Sequence, residues 1–165
     1  MVVYGKIGDV QLAQRDLPEA LQLYRDMFAI ADRLAKSDPG NATWQDDVSQ
    51  AYERIGDVQL AERSLPEALQ SYRDMFAIRD RLAKSNPGNA TWQYNLAVGY
   101  GRIGDVQLAQ GNLPEALQSY NEAFAIRDRL AKSDPGDVGL QFDLAESYSE
   151  LASAFEKAGD IERHS

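Results

Sequence analysis

Cysteine is absent from the 165 residues, so no disulfide, thiolate metal site or thiol nucleophile is available, and nothing in the fold depends on redox compartment. Histidine occurs once, as His164 beside the last residue, and no Ser/His/acid set can be assembled around it. Glycine never clusters into a phosphate-cradling loop; each lies singly within a helical pattern or in a Pro-Gly turn. Long apolar runs are missing as well. The opening MVVYGKIGDV has no basic segment followed by an apolar core, and no stretch approaches the ~18 residues of a membrane span. Basic residues are outnumbered 17 to 26, leaving a charge of −9 that repels phosphate backbones and anionic lipid surfaces. These absences predict a soluble, cytoplasmic chain with no catalysis, metal or cofactor, and with neither nucleic acid nor membrane as partner.

What the chain has is repetition. IGDVQLA, a short spacer and LPEALQSY or a close variant start at Ile7, Ile55 and Ile103, and 55 − 7 and 103 − 55 both give a period of 48. Residues 55–61, 65–72 and 76–85 return letter for letter at 103–109, 113–120 and 124–133. Each unit holds two helical patterns. In the first, helix A, Trp92, Leu96, Tyr100, Ile103 and Gln107 fall on one stripe at spacings of four, four, three and four; Trp44, Val48, Tyr52, Ile55 and Gln59 match them one unit earlier. In the second, helix B, Leu117, Tyr120, Phe124, Leu130 and Ala131 share a side, and Arg127 and Arg129 are placed toward solvent.

The six prolines punctuate these helices. Pro18, Pro66 and Pro114 stand in first turns, where an amide hydrogen has no internal partner, behind Asp16, Ser64 and Asn112, which with Glu19, Glu67 and Glu115 predict capping boxes. Pro39, Pro87 and Pro135 precede glycine and stop the B helices; Asn41, Asn89 and Asp137 follow as caps for the next A helix. The expected elements are A over 2–14, B over 17–37, A over 42–62, B over 65–85, A over 90–110, B over 113–133 and A over 138–158. This is an all-α, α-solenoid architecture of about seven helices in antiparallel hairpins. It reads as one domain over 1–165: an incomplete repeat 1–41, repeats 42–89 and 90–137, and a terminal helix 138–158 that would cap the array.

Tyr52-x-x-Ile55-Gly56-x-x-Gln59 followed by Ala68-x-x-x-Tyr72, and the same run at Tyr100, Ile103, Gly104, Gln107, Ala116 and Tyr120, resembles the tetratricopeptide repeat family. The resemblance implies close approach of the two helices at Gly8, Gly56 and Gly104 and at Ala20, Ala68 and Ala116. It covers nearly the whole chain, but the period exceeds the family's usual ~34 residues by ~14, lengthening each helix by about two turns. Arrays of this length look like those of large bacterial signalling proteins and are similar in spirit to the repeats of kinesin light chains.

For function the resemblance implies a scaffold that binds a protein or peptide in a groove lined by the A helices. Carried over position by position, the groove comprises Asp9, Leu12, Glu53, Asp57, Leu60, Val98, Arg102, Asp105 and Leu108, with Val2, Gly5, Gln50 and Gly101 beside them; the helix extension adds Asp46, Tyr94 and Phe142. Tyr94, off the core stripe, is the aromatic expected to meet a ligand. Asp9, Asp57 and Asp105 would meet a segment carrying basic residues or a free amine; alternatively they pair with Lys6, Arg54 or Arg102 on neighbouring helices. The carboxylate clamp of the family's co-chaperones falls on Gly5, Asp9, Arg54, Val98 and Arg102, of which only Arg102 fits, so an acidic chaperone tail is disfavoured. Adjacent Asp46 and Asp47, the one paired-carboxylate candidate considered, sit near a helix start where negative charge suits the dipole. A structural spacer or self-assembly module of a larger protein is the alternative function, and the half-length first A helix predicts end-to-end homo-oligomers.

Overall fold

The computed structural model describes Lys6, Gly8, Asp9 and residues 16–164. Among these there is no strand, and six helices are complete: α1 (Leu17–Ser37), α2 (Ala42–Ala61), α3 (Leu65–Ser85), α4 (Ala90–Ala109), α5 (Leu113–Ser133) and α6 (Val138–His164). The all-α hairpin-repeat class read from the sequence is the one observed. Lys6, Gly8 and Asp9 are helical; the rest of the helix expected over 2–14, including Leu12, lies outside the described residues. The last helix runs to His164, six residues beyond the expected end at 158.

Helix ends follow the punctuation, with one correction. Asn41 and Asn89 adopt extended backbone and accept from the amides of Trp44 (3.2 Å) and Trp92 (3.1 Å), and Asp137 accepts from Leu140 (3.1 Å). Asp16 and Asn112 cap nothing with their side chains. Their ψ angles, 68° and 71°, fall short of the extended range that swings a capping side chain over the helix end, and the following proline removes one of the amides a cap would bind. The A-to-B turns instead close through the backbone. Arg63 (φ 63°) and Gly111 (φ 80°) take the left-handed conformation, while Ser64 and Asn112 donate to the carbonyls of Gln59 and Gln107 at 2.8 Å.

The chain divides into two compact units, Met1–Leu82 and Ala83–Ser165. In the first, α1 packs on α2 around Ala20, Tyr24, Met27, Ala51 and Val58, with Leu17, Leu21, Phe28 and Ile55 at the margin. A second cluster of Ala31, Ala35 and Val48 is covered by Phe28, Trp44, Tyr52 and Ile78, which brings α3 onto α2. In the second unit α5 packs against both α4 and α6, and Ala116, Tyr120 and Ala154 are sealed by Leu108, Leu113, Leu117 and Leu151. Trp44 and Tyr52 thus serve the core, as their stripe predicts.

Candidate functional site

Each hairpin is closed by one recurring contact. The rings of Tyr24, Tyr72 and Tyr120, on B helices, lie against Gly8, Gly56 and Gly104 on A helices. A Cβ at Gly56 would come 2.5 Å from the Tyr72 ring, and one at Gly104 2.8 Å from that of Tyr120, well inside any real separation. Only glycine leaves room, which accounts for a mid-helix residue that otherwise costs about 1 kcal/mol against alanine. The hydroxyl then reaches the next residue along: Tyr24 donates to Asp9 (2.8 Å), Tyr72 to Asp57 (2.7 Å) and Tyr120 to Asp105 (2.8 Å). Burial and the neighbouring carboxylate push the Tyr24 and Tyr120 hydroxyls far above their ordinary value, so both remain donors.

The three aspartates expected to face a ligand are therefore each held by a tyrosine of their own hairpin. Asp9 also receives Arg54 Nη1 at 3.3 Å, with both side chains 42% exposed, so one of the base pairings expected for these aspartates is made. Desolvation raises the carboxyl pKa of Asp105 against the pull of the Tyr120 hydrogen bond and of Arg102 and Arg127.

Other ladder residues are engaged within their units. Glu53 accepts from Arg79 Nη2 at 2.6 Å. Leu108 packs on the Ala116–Tyr120–Ala154 cluster, while Leu60, Tyr94, Val98 and Arg102 are half-buried. Asp46 accepts from Ser49 Oγ (3.2 Å) and Gln50 Nε2 (2.9 Å), and Asp47 has its carboxyl pKa raised by burial and by Asp46 beside it. Among the described residues no three His, Cys, Asp or Glu side chains group to hold a metal, and no helix is long and apolar enough to cross a membrane.

Arg127 corrects the sequence reading. Far from facing solvent, it is 7% exposed, and its counterpart Arg79 is 3% exposed. Arg79 donates through Nε to Ser49 Oγ (3.3 Å) and through Nη2 to Glu53. Arg127 donates through Nη1 to Ser147 Oγ (2.7 Å) and Glu150 (3.0 Å), and its buried Nε makes no hydrogen bond. Gly101 stands where the first unit has Glu53, and a Cβ there would lie 3.6 Å from Glu150 and 3.7 Å from Arg127; with that glutamate missing, the guanidinium turns to α6. The signal in the sequence is spacing: Met75-Arg79-Leu82 and Ala123-Arg127-Leu130 place each arginine within an apolar stripe. Arg129 is exposed and donates to Gln93 at 3.1 Å.

These hairpins, closed where a small residue of helix A meets helix B, make an all-α helical-repeat fold similar to that of tetratricopeptide proteins. No family profile matches the sequence, and no characterised protein is close enough in sequence to count as a relative. Among solved structures, BtubC (BKLC) from P. vanneervenii matches 97% of the chain at a TM-score of 0.70 and 16% identity, a likeness of fold; the chain spans 57% of that protein's length. Looser similarity, with TM-scores of 0.44 and 0.36, extends to the first TPR of Spaghetti (RPAP3) bound to the HSP90 peptide SRMEEVD and to MamA. They are 18% and 15% identical; 92% and 93% of this chain aligns with 92% and 97% of theirs.

Proposed function

We propose that the chain is a non-catalytic scaffold that holds a protein or peptide segment rich in Lys, Arg or a free amine along the faces of its A helices. The observation that carries this reading is Asp9. Tyr24 fixes its carboxylate in one position, yet the side chain stays 42% exposed, and a carboxylate accepts more hydrogen bonds than one hydroxyl supplies. The exposed contact with Arg54 is worth only about 0.2–1 kcal/mol, so a ligand cation can displace it. Asp57 and Asp105 repeat the tyrosine hydrogen bond once per sequence repeat, and the charge of −9 draws cations toward the chain. Leu60, Tyr94 and Val98 would supply apolar contact, with Leu12, Glu53, Arg102 and Leu108 completing the ladder.

A structural spacer is the second reading, favoured by the same tyrosines: they give all three aspartates a use that needs no ligand. Selection from a displayed random-peptide library separates the two. Asp9, Asp57 and Asp105 changed together to Asn keep an acceptor for each hydroxyl but lose the charge. Basic peptides enriched by the native chain and lost with that variant support the scaffold; enrichment of nothing by either chain supports the spacer.

A further inference from the structure

Arg79 and Arg127 stand one repeat apart in the sequence, and both are buried. On a guanidinium, Nε and Nη2 form one edge that holds polar acceptors side by side. Arg79 has that edge filled from its own hairpin, Nε donating to Ser49 Oγ (3.3 Å) and Nη2 to Glu53 (2.6 Å). One repeat later the sequence puts Ala97 and Gly101 in those two positions, and neither has a polar side chain. The same edge of Arg127 is left unfilled. Its Nε is fully buried without a hydrogen bond, its Nη2 makes none among the described residues, and only Nη1 is used, by Ser147 and Glu150.

The missing side chains leave room beside that edge. A Cβ built on Gly101 would stand 3.7 Å from Arg127 Nη2 and 3.6 Å from Glu150 Oε1; among the described residues, its chain neighbours and own helix backbone apart, nothing else comes within 4 Å. Both are ordinary contact distances, so the place accepts a carbon without a neighbour giving way. Glu150 keeps 25% of its side chain exposed, so the place borders solvent. The two flanking atoms are opposite in kind. Nη2 is a donor lacking an acceptor, and Oε1 accepts from nothing among the described residues, since Arg127 binds Oε2.

Charge narrows the ligand. Glu150 already balances Arg127, and burial and Asp105 raise the Glu150 carboxyl against the pull of that arginine. A ligand carboxylate would set a third anion beside these two, and a ligand cation would face Arg127. A primary carboxamide is neutral and planar, with an oxygen to accept and an NH₂ to donate.

We propose that the gap at Gly101, between Arg127 and Glu150, is a binding subsite for a primary carboxamide, the side chain of a Gln or Asn in a bound peptide, its oxygen accepting from the Nε/Nη2 edge of Arg127 and its NH₂ donating to Glu150 Oε1. Glu53 is the internal precedent: a side chain from the matching position reaches the matching arginine at 2.6 Å. The inference does not depend on a basic segment meeting the aspartate ladder, and it assigns a specificity that the ladder does not.

The test titrates glutamine, glutamate and alanine, each capped by acetyl and N-methylamide groups, into the isotope-labelled native chain, up to about 100 mM because so small a ligand binds weakly. The readout is the Nε–H resonance of Arg127, assigned by its loss in Arg127→Met. Capped glutamine is expected to shift it in a saturable way, capped glutamate to bind at least about fivefold more weakly, and capped alanine to leave it in place. Gly101→Gln, with a side chain as long as that of Glu53, is expected to shift the resonance with no ligand present and to abolish the response to capped glutamine. No shift with capped glutamine, an equal shift with capped alanine, glutamate binding as tightly as glutamine, or a response that survives Gly101→Gln would overturn the assignment.

Discussion

Tyr72 lays its ring on the bare Cα of Gly56 and gives its hydroxyl proton to Asp57, the next residue, at 2.7 Å. One side chain thus reads two consecutive residues of the facing helix, once for size and once for charge. Gly56→Ala gains about 1 kcal/mol of helix propensity but forces a buried ring to move, an overpacking cost of about 1–3 kcal/mol. The expected outcome is net destabilisation in urea titrations, with Gly104→Ala behaving alike. Tyr72→Phe keeps the ring contact and is expected to lose about 1 kcal/mol. A stabilised Gly56→Ala chain would show that the close approach is not required.

Arg79 and Arg127 occupy equivalent buried places but are not equally satisfied, since only Arg79 uses its Nε. Arg79→Ala removes one partner of a buried pair and is expected to cost about 3–5 kcal/mol. Met replacements fill the space without charge, and Arg127→Met is expected to cost less than Arg79→Met because it also removes an unsatisfied donor. Thermal unfolding of both variants decides it; the reverse ranking would mean that the Ser147 and Glu150 contacts outweigh the orphaned nitrogen.

Arg63 holds a left-handed conformation that Gly111 fills in the next unit. Arg63→Gly relieves backbone strain of about 1 kcal/mol and is expected to raise the melting temperature. An unchanged or lower value would show that the arginine side chain compensates.

Burial raises the carboxyls of Asp105 and Glu150 above their ordinary values of 3.8 and 4.5. Between those values and the folded ones the native chain holds protons that the unfolded chain has released. These groups therefore lose stability as pH rises through the folded values and regain it on acidification. Urea midpoints followed from neutral pH down toward the ordinary carboxylate range are expected to gain more from acidification in the native chain than in Asp105→Asn. Equal slopes would mean that Asp105 titrates as an exposed carboxylate does.

The helices were legible because their boundaries are written locally: proline in the first turn of each B helix, Pro-Gly after its end, and Asn41 and Asn89 as caps. The pairing of Asp57 with Tyr72 was not, although its signal recurs three times. A helical stripe assigns a side chain to a face by its Cβ, whereas a tyrosine acts at its hydroxyl, the full length of the ring farther out; the stripe puts the ring in the core and is silent about its tip. Arg127 departs from its expected place for the related reason that a charged side chain on a helix predicts solvent. Ser147 is short and Glu150 lies one turn on, so together they make a buried guanidinium tolerable, and neither is adjacent to Arg127 in sequence. Among the ladder residues, the family pattern located Asp9, Asp57 and Asp105 on the A helices but said nothing of the hydroxyls that hold them.

The tyrosine–aspartate bonds each span only 15 residues of chain. A contact so local has little loop entropy to overcome and is quick to form. Each hairpin can therefore latch as soon as its own B helix has left the ribosome, without waiting for the next, and the array is able to assemble from its N-terminal end in the order of its synthesis.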